Sequence, residues 1–260
     1  MNPILPVSLK ALQNDSAAMD RIGANLANLP TPGYRREMAL QAPILGSDGL
    51  SGAPAFAGAI DRQRRQVQAV AGGAIADVTP PASVIRFDTR HGTLKTTDAP
   101  LDVALLGNGF FEIETEHGPA YTRNGQFHID ARGTLVTGQG QVVSGRGGPI
   151  VLTPGPVTID AAGQVIQNGR PVGQLKVVDV EAPDSLQHLG GSLYTATTPA
   201  RVMADADVQV RQGALENSNV DHMTEMVQMV QTMRHFETMT RVLQSYDDMV
   251  GTAITKLGSF

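Results

Sequence analysis

The ends of this chain carry helical periodicity and its middle carries strand periodicity, so the polypeptide has to fold as helix, then sheet, then helix. From Ser218 to Phe260 there is no proline, and apolar residues return at helical spacing: Met223, Met226, Val227, Val230, Met233, Phe236, Met239, Leu243, Val250, Ile254 and Leu257. Near the start, Leu5, Leu9, Leu12, Ser16, Met19, Gly23 and Leu26 step alternately by four and three, the spacing of a coiled-coil seam with small residues at two layers. That helix is predicted over 8–29, where Pro30, Pro32 and Gly33 end it. The C-terminal helix is predicted to start at Ser218-Asn219-Val220-Asp221, an S-x-x-D capping pattern, and to run to about Leu257. At ~1.5 Å per residue its ~40 residues reach roughly 60 Å. Met233, Phe236, Met239 and Val242 are each three apart, so this stripe winds around the helix and asks for more than one neighbour. Six of the ten methionines lie between 223 and 249, and methionine tolerates irregular packing.

Between the helices, short apolar runs alternate with turn signals. Leu101–Leu105, Phe110–Thr115, Gln126–Ile129, Thr134–Val136, Val157–Ile159, Gln164–Ile166 and Leu175–Val180 read as strands. His117-Gly118, Asn124-Gly125, Arg132-Gly133 and Asn168-Gly169 separate them, and Asn-Gly suits the positive φ of tight hairpin turns. This spacing predicts an antiparallel sandwich or barrel. The expected fold class is therefore α+β: paired N- and C-terminal α-helices, as a coiled-coil-like inner domain, with an inserted, mainly antiparallel all-β domain. The expected partition is a terminal helical assembly domain from 1–36 and 213–260, an irregular or extended linker over 37–84, and a β-rich outer domain over 85–212.

Composition narrows the chemistry. The chain has no cysteine, which removes disulfides, thiolate metal sites and thiol nucleophiles. With 20 basic and 25 acidic residues the formal charge is −5, so no global field draws the chain to nucleic acid. The cluster Asp61-Arg62-Gln63-Arg64-Arg65 is short enough to be a solvated face. Pro3 and Pro6 interrupt the start, so no cleaved secretory signal is expected, and no apolar stretch is long enough to predict stable membrane insertion. The six histidines show no metal spacing, and the glycines around Asn108 and Gly145–Gly148 lie between strands rather than ahead of a helix. No catalytic, metal or cofactor-binding residue is assigned, no cofactor is expected, and the chain is read as a non-enzyme.

Four segments resemble the flagellar rod, hook and hook-associated axial proteins. Asn25–Glu37 reads NLANLPTPGYRRE, Pro100–Phe111 reads PLDVALLGNGFF, and Tyr121–Val136 reads YTRNGQFHIDARGTLV. Leu215–Val220 reads LENSNV and leads into the terminal helix, with QTMRHFETMTRVLQ further on. Within the family the chain is most similar to the basal-body rod branch, and there to the FlgF-type proximal rod before the FlgG-type distal rod. It departs from relatives at Pro3 and Pro6, where their helix begins.

The resemblance implies a bacterial structural subunit, exported without a cleaved signal by the flagellar type III apparatus. It implies assembly in the periplasm with copies of itself and with proximal and distal rod proteins, as a helical tubular shaft that transmits torque from motor to hook. Leu12, Met19, Leu26, Met226, Met233, Phe236 and Leu243 are the expected assembly contacts. Asn25, Asn28, Gly33 and Tyr34 carry the family motif and are expected to fix the helix end and the exit of the chain. The alternative is a secreted β-rich binding or cell-wall-glycan-acting protein. It would use a carboxylate pair such as Glu112 and Glu114, which alternate on one strand face.

Overall fold

A computed structural model describes residues 4–40, 84–180, 186–198 and 200–257. The basic cluster at 61–65 and most of the expected linker lie outside the described residues. One helix, α1, spans Ile4–Ala27, and a second, α2, spans His222–Leu257. Nineteen described strands lie between them. Helix α1 starts earlier than the sequence predicts. Pro6 falls in its first turn, where a backbone N–H has no intrahelical acceptor and a proline removes no bond.

The largest sheet runs, in spatial order, through Leu186–Gly190, Leu193–Ala196, Gly118–Thr122, Phe110–Thr115, Val142–Gly145, Leu135–Thr137 and Phe127–Ile129. Its pairings are antiparallel. Alternation sets its inner face. In Phe110–Thr115, Phe111 and Ile113 are fully buried, while Glu112 and Glu114 take the opposite side of the pleat. Phe111 meets Phe127 edge-to-face at 5.3 Å, and both pack with Val143, Val165, Leu175 and Val177. A three-stranded sheet, Val157–Ile159, Gln164–Gln167 and Arg170–Gln174, turns at Asn168 and Gly169, both in left-handed backbone conformation (φ 52° and 73°). Two ribbons return the chain towards α2: Val210–Gln212 pairs with Val103–Leu105, and Ala214–Glu216 pairs with Leu94–Thr96. A smaller core of Phe87, Tyr121, Val178, Val180, Leu186 and Tyr194 lies beside the main one.

The expected fold class is corrected here. Among the described residues the protein has one N-terminal helix and one C-terminal helix flanking a large antiparallel β-sheet domain, and no coiled coil forms there. The two helices do run alongside each other in opposite directions, since Asn25 meets Glu225 and Asp15 meets His235. What is missing is the continuous buried seam. Leu9 is 56% exposed, and Met226 and Met233 are each 49% exposed. Ser16 is exposed, and a Cβ added at Gly23 would touch nothing within 4 Å. The small layers therefore receive no knob from the facing helix, which is the contact that defines a coiled coil. Three heptads of correct spacing state where an apolar stripe lies, not what covers it.

Candidate functional site

The segment that leaves α1 is irregular and buried, and its backbone is satisfied residue by residue. The Gly33 N–H donates to the Glu216 carbonyl at 2.8 Å, and that of Tyr34 to Thr31. The Arg35 N–H donates to the Tyr194 hydroxyl (2.9 Å), that of Arg36 to Asn219 Oδ1 (2.7 Å), and that of Glu37 to Asn25 Oδ1 (2.9 Å). Five consecutive donors thus find five different acceptors, as buried backbone outside a ladder requires.

Asn25 is the hub. Its Oδ1 accepts from the Glu37 N–H and from the Tyr34 hydroxyl (3.2 Å), and its Nδ2 donates to the Glu37 carbonyl (3.0 Å) and to Glu225 Oε2 (3.3 Å). All the hydrogen-bonding capacity of the amide is used. Burial pushes the Tyr34 phenol well above its usual range, so it stays a neutral donor. Asn28 closes the helix end: its Nδ2 donates to the Ala24 carbonyl (2.9 Å), and its Oδ1 accepts from the Thr31 hydroxyl (3.2 Å). Gly33 has φ +69°, and a Cβ there would come within 2.3 Å of the Arg123 and Asn124 backbone. Only glycine lets the two strands of chain cross at that point.

Two buried carboxylates anchor the rest. Glu216 accepts from the guanidiniums of Arg35 (2.9 Å) and Arg123 (3.2 Å) and from the Gly92 N–H (2.9 Å). Glu225, in the first turn of α2, pairs with Arg36 as well as with Asn25. The Arg123 guanidinium also donates to the Gly107 carbonyl (2.7 Å) and lies 5.5 Å from the centre of the Phe110 ring. Burial pulls its pKa down to about 10, with Glu216 acting in the opposite direction. Asn219 completes the tie, donating to the carbonyls of Asp88 (2.9 Å) and Arg90 (2.8 Å). The cap of α2 is Asp221 rather than Ser218: its Oδ1 accepts from the Met223 N–H (3.1 Å) and its Oδ2 from the Thr224 hydroxyl (2.6 Å).

Three separated motifs therefore meet in one place. NLANLPTPGYRRE supplies Asn25 to Glu37, YTRNG supplies Arg123, and LENSNV supplies Glu216 and Asn219. The structure brings Asn25, Gly33 and Tyr34 together and sets Asn28 at the adjoining helix end. The sequence reading did not single out Arg35, Arg36, Arg123, Glu216, Asn219 or Glu225, although all but Glu225 stand inside the quoted motifs. The available signal was charge balance: three basic residues in apolar-rich segments need carboxylates, and Glu216 and Glu225 begin the C-terminal segment. The expected assembly contacts are not gathered at this junction. Leu12, Met19 and Leu26 lie half-buried along α1, Phe236 and Leu243 half-buried along α2, and Met226 and Met233 exposed.

With Glu216 and Glu225 each held by guanidiniums, the arrangement is a lock rather than an acid–base pair. On the sheet, Glu112 is held by Lys176 at 2.6 Å. Residues 211–256 match the family model described as flagellar basal body rod FlgEFG protein C-terminal, and 104–170 match the flagellar hook protein FlgE/F/G D1 domain. The chain is 30% identical to the flagellar basal-body rod protein FlgG of Bacillus subtilis over 263 residues, 93% of this chain and 94% of that protein. It is 35% identical to the flagellar basal-body rod protein FlgF of Salmonella typhimurium over 248 residues, 88% of each. This chain belongs to the flagellar basal-body rod proteins. It is a structural subunit of the rod, of FlgF/FlgG type, its place is the flagellar basal body, and its partners are other rod components. The rod relatives are structural proteins, and nothing favours the glycan-acting alternative. Three of the four segments by which the sequence resembles this family supply the residues of the junction.

Proposed function

We propose that this rod protein polymerises through its terminal helices, with copies of itself and with neighbouring rod proteins, into a helical tubular shaft that carries torque from motor to hook. The observation that carries the proposal is the exposed apolar flank of α2. Met223, Met226, Val227, Val230 and Met233 stay in contact with water in the single chain although they recur at helical spacing. On this reading the segments 1–36 and 213–260 assemble, 37–84 links, and 85–212 forms the outer β part. Leu12, Met19, Leu26, Met226, Met233, Phe236 and Leu243 are the contacts to neighbours, and open head-to-tail contact builds the filament. The protein acts without catalysis. It reaches the periplasm through the flagellar export apparatus, without a cleaved signal, and has neither nucleic acid nor bilayer as partner. The higher identity to FlgF supports a proximal-rod position.

Phe236→Asp tests the reading. The variant should keep the β-sheet signature and cooperative melting of the native chain, and should abolish rod assembly and motility in cells that depend on it. Normal swimming would remove α2 from the assembly surface.

A further inference from the structure

We infer that His188 is a pH-operated clasp that fastens the edge hairpin, residues 186–196, to the segment leaving α1, and that this clasp loosens in the alkaline direction. Each ring nitrogen of His188 faces an oxygen. Nδ1 lies 3.0 Å from Glu37 Oε1, and Nε2 lies 2.7 Å from the Gly191 carbonyl oxygen. Both partners are acceptors only, so both nitrogens must carry hydrogen, and only the imidazolium does so. A neutral ring donates to one partner and turns a lone pair towards the other.

The hairpin is shaped to present this ring. Its register slips between His188 and Gly190, a bulge that re-aims the side chain, while Gly190 and Gly191 take positive φ. The ring meets Tyr34 edge-on at 5.8 Å and Phe87 at 6.2 Å, and lies tilted to Tyr194 at 5.6 Å. The groups that face it can be named element by element. The strand Glu37–Leu40 brings the Glu37 carboxylate, and the segment before it brings the Tyr34 phenol. The hairpin brings Tyr194, and the strand Val84–Phe87 brings the neutral Phe87 ring. Arg21 of α1 and Arg35 stand behind, acting on Glu37 and on Tyr194. Burial pushes both phenols far up, so neither changes charge near neutrality. The hydrogen bond to Glu37 raises the His188 pKa above its ordinary 6.5, against the burial that would lower it. A basic group whose pKa is raised by folding contributes its full stabilisation below the unfolded value and loses it as pH climbs through the folded one.

The test uses the full-length protein. Ring-resonance NMR should show His188 titrating above the ordinary histidine value, and Glu37→Gln should move that midpoint down. Amide exchange across 186–196, corrected for intrinsic rate, should show protection at about pH 6 that drops severalfold by about pH 9. In His188→Gln the protection should be low at both pH values. A midpoint unmoved by Glu37→Gln, or native protection that does not change with pH, would overturn the inference. If His188→Gln fails to fold, the Glu37→Gln titration still decides.

Discussion

Asn25 does with a side chain what a sheet does with a ladder. It holds both backbone groups of Glu37, the Tyr34 hydroxyl and one oxygen of Glu225, all out of water. A carboxylate in its place would lack the donor, a hydroxyl would lack the reach, and an apolar side chain would strand the whole set. Each buried polar group left without a partner costs about 1–3 kcal/mol, and the Glu37 N–H and C=O cannot both turn to solvent while the segment stays packed. Asn25→Ala is therefore expected to destabilise the protein by about 3 kcal/mol in urea unfolding. Asn28→Ala, at a half-buried helix end, should cost about 1 kcal/mol. Equal losses at the two positions would mean that Asn25 is an ordinary end-cap rather than the hub.

At the scale of elements, the junction works because irregular chain crosses irregular chain. The loop after α1 passes over residues 123–124 so closely that position 33 has no room for a Cβ, and its backbone is left-handed as well. Gly33→Ala should therefore cost more than the ~1–2 kcal/mol of a left-handed residue alone. Differential scanning calorimetry should show a lowered melting temperature with the β core still formed. Gly23→Ala, in open space on α1, should raise stability by up to ~1 kcal/mol. The contrast between these glycines also marks what was legible in the sequence. Helical and strand periods, Asn-Gly turns and proline stops are local properties, so both helices and seven of the nineteen described strands could be read from them. Gly33 could be read as a motif residue, but its need for glycine arises from the backbone of residues 123–124, far along the chain. The same holds for Glu216, whose two guanidiniums come from separate segments. The coiled-coil expectation failed for a related reason: a seam is a property of two helices, and spacing in one of them does not say that the other fills its gaps.

At the scale of the whole molecule, a stable junction and an uncovered helix flank belong together. Charges are locked at the base of α2, where Glu225 and Arg36 meet, while the apolar flank beyond remains in water. The antiparallel offset set by Asn25–Glu225 and Asp15–His235 places Ile4 level with Tyr246, so the last turns of α2, including the exposed Met249, run past that level. A helix held firmly at one end and left apolar along its side suits a subunit that must be a rigid body before its neighbours arrive. The double variant Met226→Lys with Met233→Lys separates folding from assembly. Both side chains are about half exposed, and surface changes of this kind usually stay within about 0.5 kcal/mol. The isolated protein should therefore melt within a few degrees of the native one. In cells the same variant should fail to build rods, because two ammonium groups would have to be buried unpaired at each contact between subunits. A variant that unfolds would show these methionines to be core, and a variant that swims would move the assembly surface to another part of the molecule.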